Sequence, residues 1–295
     1  MNKIEIKGLY PAIILPFNDD DSINLEGFKE NVQYLVDADC SGVCVNGSTG
    51  EAINLTREER IHVIQAAKEI APEGFTIIAG TGAPTTRMAI QQTQDAKDAG
   101  ADVALVITPY YCIPNKEGLI THYREVCKVD MPILLYNLPE HTGCEIDLDT
   151  LETLSKIENI VGMKESSGDL SYFAHAVQIT PDDFVVMSGA DDRIFLTKIL
   201  GGSAHILALG NLAPHKIIEM MNAISEGNME KAKEIHFKLL DLAEAILAAE
   251  NFPAPIKEAA RILGRVSSNP RLPTMAVDQE ESSVIHKALS KAGLI

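Results

Sequence analysis

Lys164 is the side chain with the clearest potential for covalent chemistry. It ends an apolar run, Ile160–Lys164, whereas most other lysines of the chain lie on polar helix faces. A lysine at the end of a buried strand loses part of its hydration, which favours the neutral, nucleophilic amine. The alternatives are a lysine that extends to solvent and one paired with the adjacent Glu165. The position therefore predicts either a nucleophile or a structural cation.

Other apolar runs also end in residues suited to binding or proton transfer. Gly47–Glu51 combines glycines, two hydroxyls and successive N–H groups that suit a carboxylate or phosphate, although a simple glycine turn fits equally well. Tyr136 can relay a proton or pack as an ordinary strand tyrosine. Pro109–Tyr111 can close a site or an interface, or only pack. Gly201–Asn211 is a candidate phosphate loop.

Eight apolar runs alternate with amphipathic stretches along the chain. The runs are apolar at consecutive positions, which is typical of strands buried on both faces. They are Tyr10–Leu15, Gly42–Asn46, Thr76–Ala79, Asp102–Thr108, Pro132–Tyr136, Ile160–Lys164, Phe184–Ser188 and Ala204–Leu209. Eight strand–helix units predict an α/β fold, a (β/α)8 TIM barrel with its site at the carboxyl ends of the strands. A doubly wound open sheet is the alternative, but no strand leads into G-x-G-x-x-G.

Only helical patterns follow the eighth run. They cover Pro214–Ser225, Met229–Ala249, Pro255–Leu263 and Gln279–Ala292. We therefore expect residues 1–225 to form the barrel that carries the active site, and residues 226–295 to form a C-terminal helical subdomain. Thr56 and Glu59 predict a capping box at one helix start, and Gly100 after Ala99 predicts a helix end.

Composition argues against several classes of function. The 295 residues include 25 Lys plus Arg and 42 Asp plus Glu, so the formal charge is −17. An acidic chain is not expected to bind nucleic acid or an anionic membrane. No apolar run approaches the roughly 18 residues of a membrane span, and no signal peptide is evident, so we expect a cytoplasmic protein. Scattered cysteines and histidines predict neither a disulfide framework nor a metal site.

The ordered set of motifs resembles the dihydrodipicolinate synthase/N-acetylneuraminate lyase family of pyruvate-dependent class I aldolases. The matching motifs are Gly47–Glu51, Pro109–Tyr111, Tyr136–Pro139, Gly162–Glu165, Ser188–Gly189 and Gly201–Gly202. The resemblance implies a lyase that condenses pyruvate with an aldehyde, or cleaves the product, through a lysine imine and enamine. It implies no cofactor and no metal. It also implies a homotetramer built as a dimer of dimers.

The resemblance assigns roles to individual residues at the pyruvate site. Lys164 matches the Schiff-base lysine, and Tyr136 matches the tyrosine that relays protons. Ser48 and Thr49 match the pair whose backbone N–H groups hold the pyruvate carboxylate, with the Ser48 hydroxyl in the relay. Ile206 matches the residue whose carbonyl faces pyruvate.

Three further positions complete the implied site. Tyr111 matches the catalytic tyrosine that extends into the neighbouring subunit. Gly189 and His141 are implied to bind substrate. Synthases of the family carry arginine at the position of His141, where it binds the carboxylate of aspartate semialdehyde. Histidine cannot form that two-pronged contact, which favours a sugar-derived aldehyde.

Other positions separate the possible activities. Ser48, where threonine is more usual, agrees with the sialic-acid lyase pattern, whereas Pro109–Gly118 and Lys164–Gly168 are more similar to the synthases. A 2-keto-3-deoxy sugar-acid aldolase, a phosphate-binding isomerase and a non-catalytic barrel remain as alternatives. Feedback inhibition by lysine is not expected. Lysine-inhibited synthases of the family carry two histidines, an asparagine and a glutamate at four positions where this chain has other residues. These are Arg57, Arg60, Pro84 and Met88.

Overall fold

Eight short parallel strands form a closed ring in the computed structural model, which describes residues 4–247 and 251–295. The strands are β1 Gly8–Pro11, β2 Gly42–Val45, β3 Thr76–Gly80, β4 Val103–Ile107, β5 Ile133–Asn137, β6 Ile160–Glu165, β7 Val185–Ser188 and β8 Ala204–Leu207. Their order is β1-β8-β7-β6-β5-β4-β3-β2. Ser41 N donates to Leu9 O at 3.0 Å and Ile13 N to Cys44 O at 3.0 Å, which joins β1 to β2. The predicted (β/α)8 barrel is confirmed.

Helices follow the strands and continue beyond β8. They are α1 Leu25–Asp37, α2 Arg57–Ile70, α3 Thr86–Asp98, α4 Lys116–Val126, α5 Pro139–Thr142, α6 Leu148–Leu154, α7 Leu170–Ile179, α8 Ile194–Ile199, α9 Pro214–Ser225, α10 Met229–Leu247, α11 Ala254–Ile262 and α12 Gln279–Lys291. The helix expected to end at Ala249 is described only to Leu247, because residues 248–250 lie outside the described ranges. Short 3₁₀ turns supplement these helices.

The local end signals that the sequence predicted are present. The Thr56 hydroxyl accepts a hydrogen bond from Glu59 N at 3.2 Å, and the Glu59 carboxylate accepts one from Thr56 N at 2.9 Å. Together they form a capping box at the start of α2. Gly100 has φ +96°, a left-handed conformation that ends α3 at little steric cost.

The first strand begins earlier than the sequence indicated. The run Tyr10–Leu15 predicts one strand, but β1 covers Gly8–Pro11. Residues 12–15 are buried like a strand. Ala12 N and Ile13 N still donate to Leu207 O and Cys44 O on the neighbouring strands, and the ladder ends after them. Ile14 N donates to the Asn211 side chain at 3.0 Å. A run of apolar residues indicates a buried segment, and here the segment stays buried beyond the end of the strand's hydrogen bonds.

The C-terminal helices share a hydrophobic core with one side of the barrel. A single cluster contains Phe28 of α1, Ile217 of α9 and Leu289 of α12. A separate cluster fills the inside of the barrel and includes Tyr136 and Ile206. The tail thus packs directly on the elements around β1 and β2. The division at residues 225 and 226 stays a prediction.

Replacing Thr56 with alanine tests the capping box. We expect Thr56→Ala to lower the free energy of unfolding by about 1 kcal/mol, because the N–H of Glu59 in the first turn of α2 loses its side-chain acceptor. Urea denaturation followed by circular dichroism measures the change. Thr56→Ser keeps the hydroxyl and should retain most of the stability. An equal loss in both variants would contradict a role for the cap.

Candidate active site

Lys164 and Tyr136 lie side by side at the carboxyl end of the barrel. They are partners in the register of β5 and β6, and both are buried, with 7% and 8% of their surface exposed. Lys164 Nζ lies 4.1 Å from the centroid of the Tyr136 ring. Register partners on parallel strands point to the same face, here the inside of the barrel. The structure therefore places an amine and a phenol in direct contact.

Glu165 does not pair with Lys164, although it is adjacent in sequence. Successive residues of a strand point to opposite faces, so the two side chains diverge. The Glu165 carboxylate accepts hydrogen bonds from the Asn137 amide at 2.7 Å and from Ser167 N. Burial raises the pKa of Glu165, and these hydrogen bonds oppose the shift. Glu165 thus connects the end of β5 with the segment that follows β6.

Gly189 makes room for the lysine. A Cβ at this position would overlap Lys164 Cε and the Ser166 hydroxyl. Any larger residue would force the stem of Lys164 away from its present path. The structure thus places Gly189 against the amine-bearing side chain. Its contact with substrate stays a prediction.

A cavity of about 890 Å³ opens at the carboxyl ends of β2 to β5. Ser48, Tyr136 and His141 line it, and Thr49 is buried next to Ser48. His141 is exposed on the short helix α5. The structure therefore brings a hydroxyl, a phenol and an imidazole to one space, next to Lys164.

Ile206 and Tyr111 occupy very different surroundings. Ile206 is buried on β8 and packs inside the barrel in the same cluster as Tyr136. Tyr111 is 94% exposed and has φ +72°, a conformation uncommon for a tyrosine. Its neighbour Tyr110 lines the cavity instead. Within one chain, Tyr111 is thus separate from the other residues that we expected at the site.

Asp191 is a buried carboxyl near Lys164 that sequence reasoning missed. It lies just after β7, and its Oδ1 accepts a hydrogen bond from Leu209 N at 2.7 Å. Burial raises the pKa of Asp191 to about 6, while the bond from Leu209 and the charge of Lys164 oppose the shift. The available signal was an acid two residues beyond Ser188-Gly189, at the end of an apolar run.

The candidate phosphate loop after β8 is occupied by internal contacts. The Asn211 amide donates to Ala12 O at 2.7 Å and to Ala208 O at 2.8 Å, while its oxygen accepts from Ile14 N. His205 is fully buried beside Thr197, and burial lowers its pKa to about 3. These polar groups stabilise the fold and do not face an open space, so the loop gives little support to an isomerase.

Within residues 4–247 and 251–295, histidine, cysteine and acidic side chains form no group of three that could hold a metal ion. No helix in the same ranges combines the length and hydropathy of a membrane span.

Comparison with known proteins identifies the family. The profile of the dihydrodipicolinate synthetase family matches residues 5–292. The chain belongs to this family. The 4-hydroxy-tetrahydrodipicolinate synthase of Methanothrix thermoacetophila is 40% identical, over 97% of this chain and 96% of the relative. The family is one of lyases of the class I aldolase type, so the predicted enzyme class is confirmed.

Solved structures of family members match the whole fold. The dihydrodipicolinate synthase of Thermotoga maritima superposes with a TM-score of 0.95 at 31% identity, covering 98% of this chain and 99% of its own. The Acinetobacter baumannii enzyme, solved in complex with pyruvate, gives 0.95 at 32% identity, covering 99% and 100%. Barrel and C-terminal helices are therefore features of the family.

The buried Asp191 carboxyl predicts a pH-dependent stability. In the folded chain it binds a proton below about pH 6, whereas unfolded aspartate does so only below about pH 4. The free energy of unfolding of the unaltered protein, measured relative to that of Asp191→Asn, should therefore fall by roughly 1–3 kcal/mol as the pH rises from 4 to 6. Urea unfolding at several pH values measures the difference. Asp182→Asn, at an exposed position, is the control, and a flat difference for Asp191→Asn would contradict the expectation.

Proposed function

We propose that this chain is a 4-hydroxy-tetrahydrodipicolinate synthase that condenses pyruvate with aspartate semialdehyde. The observation that carries the proposal is the buried amine of Lys164 against the Tyr136 ring, in a barrel of this family. Relatives over nearly the full length bear that enzyme name.

Lys164 forms the covalent intermediate. Its neutral amine attacks the ketone carbon of pyruvate, and water leaves the resulting carbinolamine to give an imine. Tyr136, 4.1 Å away at its ring centroid, supplies and removes the protons that these steps require. The protonated imine then accepts electrons when a methyl proton leaves, which yields an enamine. The enamine carbon attacks the aldehyde, and no metal or cofactor is needed because the iminium is the electron sink.

Ser48 and Thr49 hold the pyruvate carboxylate through their backbone N–H groups. Because the chain carries a formal charge of −17, its overall field repels an anion. The anion must therefore be bound by local donors. The Ser48 hydroxyl lies at the cavity and joins the proton relay with Tyr136.

Ile206 and Gly189 shape the remainder of the pyruvate site. The carbonyl of Ile206, near the end of β8, faces the bound keto acid. Gly189 leaves space beside the stem of Lys164, which a side chain would take from the lysine and from the substrate.

The enzyme assembles as a homotetramer, a dimer of dimers, in the cytoplasm. Tyr111 extends from each subunit into the site of its neighbour and completes the proton relay there. Its nearly complete exposure in the single chain supports this arrangement, as does the exposure of the apolar side chains of Ile53 and Ile113. Tyr111 has a positive φ and points toward solvent, and the contacts of the described residues give it no role within its own subunit.

Borohydride reduction with pyruvate tests the covalent step. We expect a pyruvate-dependent mass increase that peptide mapping assigns to Lys164, because only an imine is reduced to a stable amine. Lys164→Arg should abolish the adduct. Lys198→Arg is the matched control, since Lys198 is also partly buried and burial lowers its pKa. Absence of the adduct in the unaltered enzyme would sink the proposal and favour an isomerase or a non-catalytic barrel.

His141 supports a second candidate, an aldolase that acts on a sugar-derived aldehyde. The imidazole lines the cavity but offers no two-pronged contact to a carboxylate. The imidazole can instead form single hydrogen bonds with the hydroxyl groups of a sugar-derived aldehyde. The alternative includes 2-keto-3-deoxy sugar-acid and N-acetylneuraminate lyase activities.

Substrate comparison separates these candidates. We expect kcat/KM for aspartate semialdehyde to exceed the values for glyceraldehyde and N-acetylmannosamine. His141→Arg should raise kcat/KM for aspartate semialdehyde by about tenfold, because the guanidinium pairs with the carboxylate of that substrate. Steady-state kinetics with each aldehyde provides the test. A preference of the unaltered enzyme for either sugar aldehyde would assign the second activity.

A further inference from the structure

A buried ion pair connects the loop after β2 to the C-terminal helices. Lys257 of α11 donates to Glu51 Oε1 at 2.5 Å, and each side chain is 1% exposed. Every other ion pair between described residues involves side chains that are more than a tenth exposed. Glu51 Oε2 accepts a second bond from Arg271 N at 2.8 Å. Apart from a longer bond from the Asn54 amide at 3.5 Å, the carboxylate at the end of the loop is therefore held by the C-terminal segment.

Lys257 is itself fixed on several sides. Its Nζ lies 4.4 Å from the centroid of the Phe17 ring and donates to Asn269 O at 3.3 Å. The Phe17 ring comes from the segment after β1, and Phe17 N donates to the Ser268 hydroxyl at 2.9 Å. These contacts fix the position of the Lys257 ammonium group next to the Glu51 carboxylate.

Glu51 needs such a partner because of its backbone. It has φ +53°, a left-handed conformation that costs a non-glycine residue about 1 kcal/mol or more. In that conformation Glu51 N donates to Ser48 O at 3.0 Å and Ala52 N donates to Gly47 O at 3.2 Å. The strained residue closes the turn that contains Ser48 and Thr49.

A second cation holds the same turn from the barrel side. Arg60 of α2 donates to Ala52 O at 2.9 Å and to Gly80 O at 2.8 Å. The Asn46 amide, at the start of the turn, donates to Arg60 O at 3.0 Å. The turn is therefore fixed between Arg60 on one side and the Glu51–Lys257 pair on the other.

Stability alone does not account for a buried ion pair. Removing two charges from water costs several kcal/mol per ion, and a well-packed apolar pair is often as stable or more so. What a charged pair supplies is a directional contact at a defined position. Here that position is the end of the turn whose N–H groups would bind a carboxylate.

We propose that Glu51 is a positioning residue, and that its ion pair with Lys257 aligns the backbone N–H groups of Ser48 and Thr49 with the pyruvate carboxylate. The C-terminal helical segment is then part of the pyruvate site, although it contacts no reacting atom. This inference rests on the proposed function. It predicts an effect on pyruvate binding and little effect on the chemical step.

The test is the double variant Glu51→Gln/Lys257→Met in the full-length enzyme. It removes both charges while keeping similar shapes, so no unpaired buried charge remains and the melting temperature should stay close to that of the unaltered enzyme. Borohydride trapping over a range of pyruvate concentrations measures the half-saturating concentration. We expect it to rise about tenfold, the loss associated with one misaligned charge-assisted hydrogen bond, with little change in the trapping rate at saturation.

Controls separate positioning from general loosening and from failure of the proposed function. Ile285→Val weakens the core of α12 without touching the pair, and should lower the melting temperature but leave the half-saturating concentration unchanged. Glu51→Gln alone keeps an oxygen acceptor for Arg271 N but leaves the Lys257 charge without a counter-charge, so its melting temperature should fall. If the double variant does not fold, the same rise in the half-saturating concentration is expected of this single variant. Normal half-saturation in the charge variants, or an equal rise in Ile285→Val, would overturn the inference while the pyruvate adduct still supports the function. No adduct in the unaltered enzyme would overturn both.

Discussion

The parallel register of β5 and β6 is the constraint on which the site depends. It makes Tyr136 and Lys164 direct neighbours and turns both side chains into the barrel. A shift of either strand by one residue would move its own side chain, Tyr136 or Lys164, to the opposite face of the sheet. Because the ring of eight strands is closed by the contacts between β1 and β2, the register cannot slip without breaking the barrel. The pair is therefore as rigid as the fold itself.

Each buried charge around this pair is compensated by a different structural device. Lys164 lies against an aromatic ring, Asp191 accepts a backbone N–H, Glu165 is held by Asn137, and Glu51 by a lysine of the tail. In a chain with a large excess of acid, such local compensation decides where an anion can bind. Lys164 is the buried lysine inside the barrel whose charge no carboxylate pairs among the described residues, and it marks a place where negative charge is favoured.

Local signals were recovered accurately from the sequence and nonlocal ones were not. The capping box of Thr56 depends on residues three apart, and it formed as expected. The first strand was misplaced because a buried segment that bonds to Asn211 has the same apolar pattern as a strand. Lys164 was identifiable because a lysine is rare at the end of an apolar run. Asp191 shared that signal but was hidden within a run of polar residues.

The sequence by itself determined the eight alternating units, the helical tail and the family, since short-range periodicity and motif order are written along the chain. Tertiary structure alone decided which side chains meet. Glu51 and Lys257 are 206 residues apart, and nothing local indicates their contact. Likewise, adjacent Tyr110 and Tyr111 diverge, one toward the cavity and one toward solvent. The reason is physical: side-chain direction and long-range pairing depend on how the barrel closes and how the tail packs on it.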